Sequence, residues 1–154
     1  MTLVITGAGT EYVSGFATDI GVQLDSSNIN VLGLGYVTNH EIDCLISCAT
    51  VVVNCSLYEA GNGSGVDAWA LGVPVAMSNI PSFLEHIEFL DVRAAIFDPR
   101  SGYDIADKIA IIVDGPDAAE IDVNYSMKSM SKISWDMVAK EYYQVFETVA
   151  RKHG

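Results

Sequence analysis

Two carboxylates and the glycines between them are the residues in this sequence best suited to chemistry. Glu59 precedes the segment Gly61-Asn62-Gly63-Ser64-Gly65, and Asp67 follows Glu59 by eight residues. The glycines allow a ligand to approach the backbone, and a helix predicted over 66–71 would present free N–H groups to an anion. Carboxylates beside that anion accept hydrogen bonds from sugar hydroxyls, each worth about 1.5–3 kcal/mol. A ligand that places phosphate groups on backbone amides and hydroxyl groups on carboxylates would be a nucleotide sugar.

A simpler explanation of the two acids is open at this point. In a chain with 20 Asp and Glu residues, two carboxylates eight positions apart carry little weight alone. Asp67 would then complement the partial positive charge of a helix N-terminus, and Glu59 would be solvated.

A second glycine-rich turn, Gly7-Ala8-Gly9, follows a predicted strand and is similar to the opening of a dinucleotide-binding fold. The dinucleotide fingerprint requires a further glycine at position 12, which is Tyr12, and Glu11 adds a negative charge beside it. We interpret the segment as a tight strand-to-helix turn at the ligand-facing edge of the sheet. An NAD-dependent oxidoreductase would need cofactor binding at this turn.

Charge is distributed unevenly along the chain, whose net charge is −12. No Lys or Arg precedes Arg93, whereas residues 1–92 carry ten Asp and Glu. Such a surface repels nucleic acid, which we exclude as a partner. No apolar run approaches the roughly 18 residues of a membrane span. The first residues lack a basic signal-peptide region, so we expect no transmembrane segment and a cytoplasmic protein. The three cysteines lack a fourth zinc ligand and are expected to be buried thiols.

Apolar patterning predicts strands that alternate with helices. Strands are expected over 3–6, 29–34, 50–55, 73–77 and 94–98, and helices over 11–24, 38–49, 66–71, 103–113, 117–130 and about 134–152. Thr38 and Ser134 are expected to cap the second and the last of these helices. This alternation indicates an α/β protein with a Rossmann-like, doubly wound parallel sheet, forming a single domain over 1–154.

The segment from Ser56 to Val75 resembles the signature of retaining GT-B glycosyltransferases of the group-1 (family-4) type. Two acids eight residues apart, Glu59 and Asp67, are followed in that signature by Ala68, Ala70, Gly72, Pro74 and Val75. Further similar segments bring the resemblance to nearly the whole chain: 33–37, Ser78 to Glu85, 97–99 and Ser134-Trp135. The resemblance implies the nucleotide-sugar-binding C-terminal domain of such an enzyme.

The resemblance also implies roles for individual residues. Glu59 would be the catalytic residue that contacts the hydroxyls of the donor sugar, and Asp67 would accept from the ribose. The sugar and diphosphate would be held by the amides of Gly61, Asn62, Gly63, Ser64, Gly65 and Val66. Backbone at Tyr36 and Val37 would edge the base, and Gly7 and Gly9 would line the floor of the cleft.

The implied reaction transfers a hexose from a nucleotide diphosphate sugar to a glycan acceptor, with retention. This family needs no metal or other cofactor, so the nucleotide sugar is the only small-molecule ligand expected. The alternative is a non-catalytic nucleotide-binding or interaction module derived from such a domain.

The sequence departs from the family pattern in two respects. The second acid is usually Glu, and Asp67 is shorter by a methylene. The family's C-terminal domain also opens with a strand and helix carrying an Arg and a Lys, and no Lys or Arg occurs here before Arg93. We therefore expect the chain alone to transfer no sugar, with the acceptor held by an N-terminal domain or a partner chain.

The last predicted helix carries an apolar stripe that includes Trp135, Tyr142, Phe146 and Val149. Uncovered apolar surface favours association, and two-fold symmetry is the commonest closed form. We expect a homodimer unless this helix folds back on its own domain.

Overall fold

The structure, a computed structural model, describes residues 1–19 and 30–153. The strands in this part of the chain are all parallel and lie in two sheets. One sheet pairs β1 (Thr2–Thr6) with β2 (Asn30–Gly35). The other has the order β3-β4-β5, formed by Val52–Asn54, Val75–Ser78 and Ala95–Phe97. The predicted parallel α/β fold is confirmed, with its strands divided between two sheets.

Helices follow the strands, and each corresponds to a predicted helix except the one over 81–90, which the sequence pattern did not predict. They are α1 (Thr10–Asp19), α2 (Asn39–Ser47), α3 (Gly63–Leu71), α4 (Pro81–Leu90), α5 (Gly102–Asp114), α6 (Pro116–Met130) and α7 (Trp135–His153). The end of the helix predicted over 11–24, and the first residue of the strand predicted over 29–34, lie outside the described residues.

The chain forms two compact units, Met1–Leu45 and Ile46–Gly154. The prediction of a single domain stays a prediction. No helix in the described part of the chain combines the length and the apolar character that a bilayer crossing requires.

The start of α2 confirms the predicted Thr38 cap. The Thr38 hydroxyl accepts from the Glu41 amide at 3.3 Å, while a Glu41 carboxylate oxygen accepts from the Thr38 amide at 2.7 Å. This reciprocal arrangement is a capping box. The bonds from Thr38 stabilise the ionised form and lower the pKa of Glu41. These bonds therefore stabilise the fold at any pH above the ordinary pKa of a glutamate. This stabilisation is lost as the pH falls through the lowered pKa of Glu41 in the folded protein.

The core of the second unit is built around β4, whose four residues are all buried. Ala76 of this strand packs with Phe97 of β5 and Ile112 of α5. A central strand of a parallel sheet has helices on both faces, so an uninterrupted apolar run is expected there. The strand ends at Ser78, whose side chain is also fully buried.

Helix α6 is joined to the rest of this unit through Arg93. The indole N–H of Trp69 donates to the Arg93 carbonyl at 2.9 Å, and the Arg93 amide donates to the Ser126 hydroxyl at 2.9 Å. The guanidinium lies over the Tyr125 ring and pairs with Asp122 at 2.7 Å, and this hydrogen bond raises the pKa of Arg93. These contacts fix α3 and α6 against β5.

Two expectations concern surface chemistry. Cys44, Cys48 and Cys55 are all exposed, so the expectation of buried thiols is wrong.

Helix α7 is capped by Ser134, whose hydroxyl accepts from the Met137 amide at 3.2 Å. Its apolar stripe is exposed, with 87% of Trp135 accessible to solvent. The homodimer stays a prediction.

Helix α3 ends in a turn that only a few residue types accept. Gly72 has φ of 73°, and its amide donates to the carbonyls of Ala68 and Trp69. A Cβ at this position would lie 2.7 Å from the sulfur of Met127. The left-handed conformation lets the chain turn from α3 into β4.

We expect Gly72→Ala to lower the free energy of unfolding by about 1–2 kcal/mol, because a Cβ is strained at positive φ. Gly72→Asn should lose less, since asparagine visits this conformation more readily. Denaturant unfolding measures the difference. The control is Gly102→Ala, where a Cβ meets nothing within 4 Å. Equal losses for Gly72→Ala and Gly102→Ala would contradict this explanation.

Candidate functional site

The predicted carboxylates and glycines lie between β3 and the first turns of α3. The helix begins at Gly63, whereas the sequence predicted a start at Val66. Gly63, Ser64 and Gly65 therefore form the first helical turn and are not part of a loop. The predicted strand over 50–55 is likewise shorter, since β3 ends at Asn54.

The early start of α3 is explained by Asn62, which caps the helix. Only 4% of this residue is exposed. Its side-chain oxygen accepts from the Gly65 amide at 3.1 Å, and its carbonyl accepts from the Val66 amide at 3.0 Å. Asparagine is among the best N-cap residues because it satisfies an amide that the helix itself cannot.

This cap corrects the predicted set of ligand-binding amides. Gly65 and Val66 already donate within the protein, so they are not available to an anion. Among the described residues, no partner accepts from the amides of Gly63 and Ser64. The first turn thus presents two adjacent N–H groups at the positive end of the helix.

A partly buried polar network holds the cap in place. The Asn54 side-chain amide donates to the Asn62 oxygen at 2.7 Å, and the Asn54 oxygen accepts from the Ser64 hydroxyl at 2.9 Å. The Asn54 carbonyl accepts from the Ser78 hydroxyl at 3.1 Å. Residues of β3, β4 and α3 are therefore joined at the carboxyl end of the sheet. The sequence analysis did not identify Asn54, although a polar residue within an apolar strand was a usable signal.

The glycines of this segment have different roles. A Cβ on Gly65 would overlap the Asn62 side chain, whose Cγ would be 2.6 Å away. A Cβ on Gly61 or Gly63 would meet nothing within 4 Å, and neither residue has positive φ. Gly65 is therefore required by packing, whereas Gly61 and Gly63 leave open space at the surface.

The two predicted carboxylates are both exposed. Glu59 accepts a hydrogen bond from the Ser56 hydroxyl at 2.8 Å, which restrains its side chain on the segment before the helix. Asp67 lies in the second turn of α3. Cys55 follows β3 directly. Although this residue is solvent-accessible, partial desolvation raises the pKa of its thiol, which is therefore protonated at neutral pH and a poor nucleophile.

Two other predicted residues lie in the first unit, in the turn between β1 and α1. Gly7 has φ of 82°, and its amide donates to the Gly35 carbonyl at 2.7 Å. Gly9 forms a bridge with Leu34. This turn approaches β2 so closely that a Cβ on Gly33 would lie 2.6 Å from the Gly9 carbonyl carbon. The sequence analysis assigned no packing role to Gly33.

The remaining predicted residues follow β2. Tyr36 is 98% exposed and Val37 is half-buried. The Thr10 hydroxyl donates to the Gly33 carbonyl at 3.0 Å, which fixes the start of α1 to the strand before Tyr36.

A separate cavity of about 120 Å³ lies elsewhere in the second unit, beside Trp69, Arg93 and Ile112. Its walls include none of the predicted site residues. The candidate site is therefore the exposed first turn of α3 with its flanking carboxylates, and not this cavity.

Comparison with known sequences gives a family match. Residues 1–114 match the family described as glycosyl transferases group 1. An uncharacterized glycosyltransferase of Methanocaldococcus jannaschii is 29% identical over 155 residues, which is 99% of this chain and 38% of that protein. The chain therefore spans less than half the length of this relative.

Solved structures agree with the fold. The chain is similar to sucrose-phosphate synthase from Thermosynechococcus elongatus, with a TM-score of 0.77 at 18% identity over 97% of this chain and 39% of that one. It is also similar to TarM, with a TM-score of 0.72 at 20% identity, covering 95% and 28% of the two chains. The catalytic domain of cholesterol-α-glucosyltransferase from Helicobacter pylori gives 0.64 at 19% identity, covering 86% and 79%. These structural similarities establish the GT-B type of Rossmann-like fold.

We expect Gly65→Ala to lower the free energy of unfolding by about 1–3 kcal/mol. The added Cβ displaces the Asn62 side chain and leaves buried polar groups without partners. Gly63→Ala is the matched control in the same turn, and it should be neutral or stabilise by up to about 1 kcal/mol through helix propensity. Denaturant unfolding of both variants decides, and a Gly65→Ala variant as stable as Gly63→Ala would show that the cap tolerates displacement.

Proposed function

The chain belongs to the glycosyl transferases of group 1, and on that premise we propose that it binds a nucleotide diphosphate sugar. The observation that carries the proposal is the capped first turn of α3, whose Gly63 and Ser64 amides have no partner among the described residues. The turn lies at the carboxyl end of parallel strands, which is where ligands bind in open α/β sheets.

The diphosphate is assigned to the amides of Gly63 and Ser64, with the open backbone at Gly61 beside them. Residues 46–92 contain no Lys or Arg, so in this stretch the positive charge for a diphosphate comes from backbone N–H groups and the helix dipole. Growing charge on a leaving diphosphate is stabilised in the same way.

The two carboxylates are assigned to hydroxyl groups. Asp67 accepts from the ribose, at a reach shorter by one methylene than the family's usual Glu. Glu59 accepts from the hydroxyls of the donor sugar, and its bond to Ser56 restrains it before the ligand arrives. The roles of the residues in the first unit stay predictions that rest on the resemblance. Gly7 and Gly9 would line the floor of the cleft, and Tyr36 and Val37 would contact the base.

The reaction proposed for the whole protein is transfer of a hexose from this donor to a glycan acceptor, with retention. We propose that it requires no metal or other cofactor, as the resemblance to its family implies. An alternative is a binding module without catalysis, which would use the same fold without turnover.

Calorimetric titration with UDP, GDP and ADP in turn tests donor binding. We expect one of them to bind, and Asp67→Ala to weaken that binding by about 10- to 150-fold through loss of one or two charge-assisted hydrogen bonds. Asp67→Asn keeps an acceptor and should lose less. Asp117→Ala, which removes an exposed acid from the first turn of α6, is the matched control.

Unchanged affinity in Asp67→Ala would remove the ribose assignment. If none of the three nucleotides binds, the donor proposal fails and the interaction module is favoured.

A further inference from the structure

The Asn54 side chain is engaged at both of its polar atoms. Its amide N–H donates to Asn62, and its oxygen accepts from the Ser64 hydroxyl. It occupies the last position of β3, a strand that is otherwise apolar. A polar side chain among apolar neighbours is costly unless its hydrogen bonds are made, and here both are made to the start of α3.

The Asn62 amide needs a fixed orientation to act as a cap. The Gly65 N–H is a donor, so the Asn62 atom facing it must be the oxygen. The other end of the amide faces the Met77 sulfur at 4.0 Å, a weak acceptor that fixes little. The donor that holds the oxygen in place is therefore the Asn54 side chain, at 2.7 Å.

The same network directs Ser64. Because its hydroxyl donates to Asn54, this residue offers a ligand its amide and not its side chain. Asn54 is in turn fixed through its carbonyl, which accepts from the fully buried Ser78. Neither Asn54 nor Ser78 lies in the segment from Ser56 to Val75, to which the family resemblance assigns the ligand contacts of this unit.

We propose that Asn54 is a positioning residue, which orients the Asn62 cap and thereby keeps the Gly63 and Ser64 amides free and aligned for a diphosphate. The inference rests on the proposed donor binding. Its distinctive requirement is a hydrogen-bond donor at position 54, facing the Asn62 oxygen.

Asn54→Asp removes that donor without changing the size of the side chain. At neutral pH a carboxylate oxygen faces the Asn62 oxygen, and the two acceptors repel. Protonation of the carboxyl restores an O–H donor at the same place. We expect the affinity for the nucleotide that the wild type binds to fall at least tenfold at pH 8, where the carboxyl is ionised, and to recover towards wild type as the pH falls through the pKa of that carboxyl.

The measured quantity is the ratio of the variant and wild-type dissociation constants at each pH. The other titratable groups on these segments, Cys55, Glu59 and Asp67, are present in both proteins, as is the phosphate of the ligand, so the ratio isolates position 54. Asn124→Asp makes the same chemical change on the exposed face of α6 and should give a ratio near one throughout. A ratio for Asn54→Asp that is near one at pH 8, or that stays raised after the introduced carboxyl is protonated, overturns the proposal.

Hydrogen exchange of the Gly65 amide provides a readout that needs no ligand. In Asn54→Asp its protection should be lower than in wild type at pH 8 and equal once the introduced carboxyl is protonated, after correction for intrinsic exchange. If the wild type binds none of UDP, GDP and ADP, the donor proposal fails, and this exchange measurement alone decides whether Asn54 orients the cap.

A double-mutant cycle applies if Asn54→Asp does not fold at neutral pH. Because Asn54 acts through Asn62, the Asn54→Ala and Asn62→Ala double variant should lose no more nucleotide affinity than the worse single variant. Losses that add would show that the two residues act independently, which contradicts the proposal.

Discussion

A helix N-terminus holds an anion only while its free amides are fixed in direction, and in this chain that condition depends on the Asn62 cap. The cap satisfies the Gly65 amide and leaves the two preceding amides available. It also sets where α3 begins, and so determines which residues belong to the site. The order of β3 and β4 matters because it brings Asn54 and Ser78 together beneath this turn.

Charge is the second constraint on the account. With a net charge of −12 and no Lys or Arg before Arg93, the first 92 residues cannot neutralise a diphosphate with their own cationic side chains. Backbone dipoles then supply the positive potential, and they do so effectively only when they are preorganised. In the proposed site the partly buried network around Asn54 provides that preorganisation, since it fixes the amides before a ligand is present.

The sequence predicted those features that arise from local patterns. Alternating apolar segments indicated the parallel α/β fold, and the Thr38 cap was recognised from its residue type. The acid pair Glu59 and Asp67 was identified by spacing. The start of α3 was missed because three glycines and a serine suggested a loop, whereas the Asn62 cap starts the helix at Gly63. The contact that holds this cap comes from Asn54 on another element, and such a contact has no local signature.

The sequence also did not predict which glycines are required by packing. Gly33 is needed because the turn between β1 and α1 lies where a Cβ would be, and Gly65 because the Asn62 side chain lies there. Gly63 has open space beside it, yet all three look alike in sequence. Helix α4 begins at Pro81 and was not predicted as a helix, although proline at the first helical position favours one. The exposure of Cys44 likewise depends on how α2 packs.

The central claim is that the first turn of α3 is the anion-binding element, and an NMR titration of amide resonances with UDP, GDP and ADP tests it most directly. For the nucleotide that binds, the account predicts saturable shifts that are largest at the Gly63 and Ser64 amides. The Gly65 amide, which is already bonded to Asn62, should retain its protection from exchange. Saturable amide shifts confined to residues outside this turn, such as those lining the cavity beside Trp69, would contradict the claim.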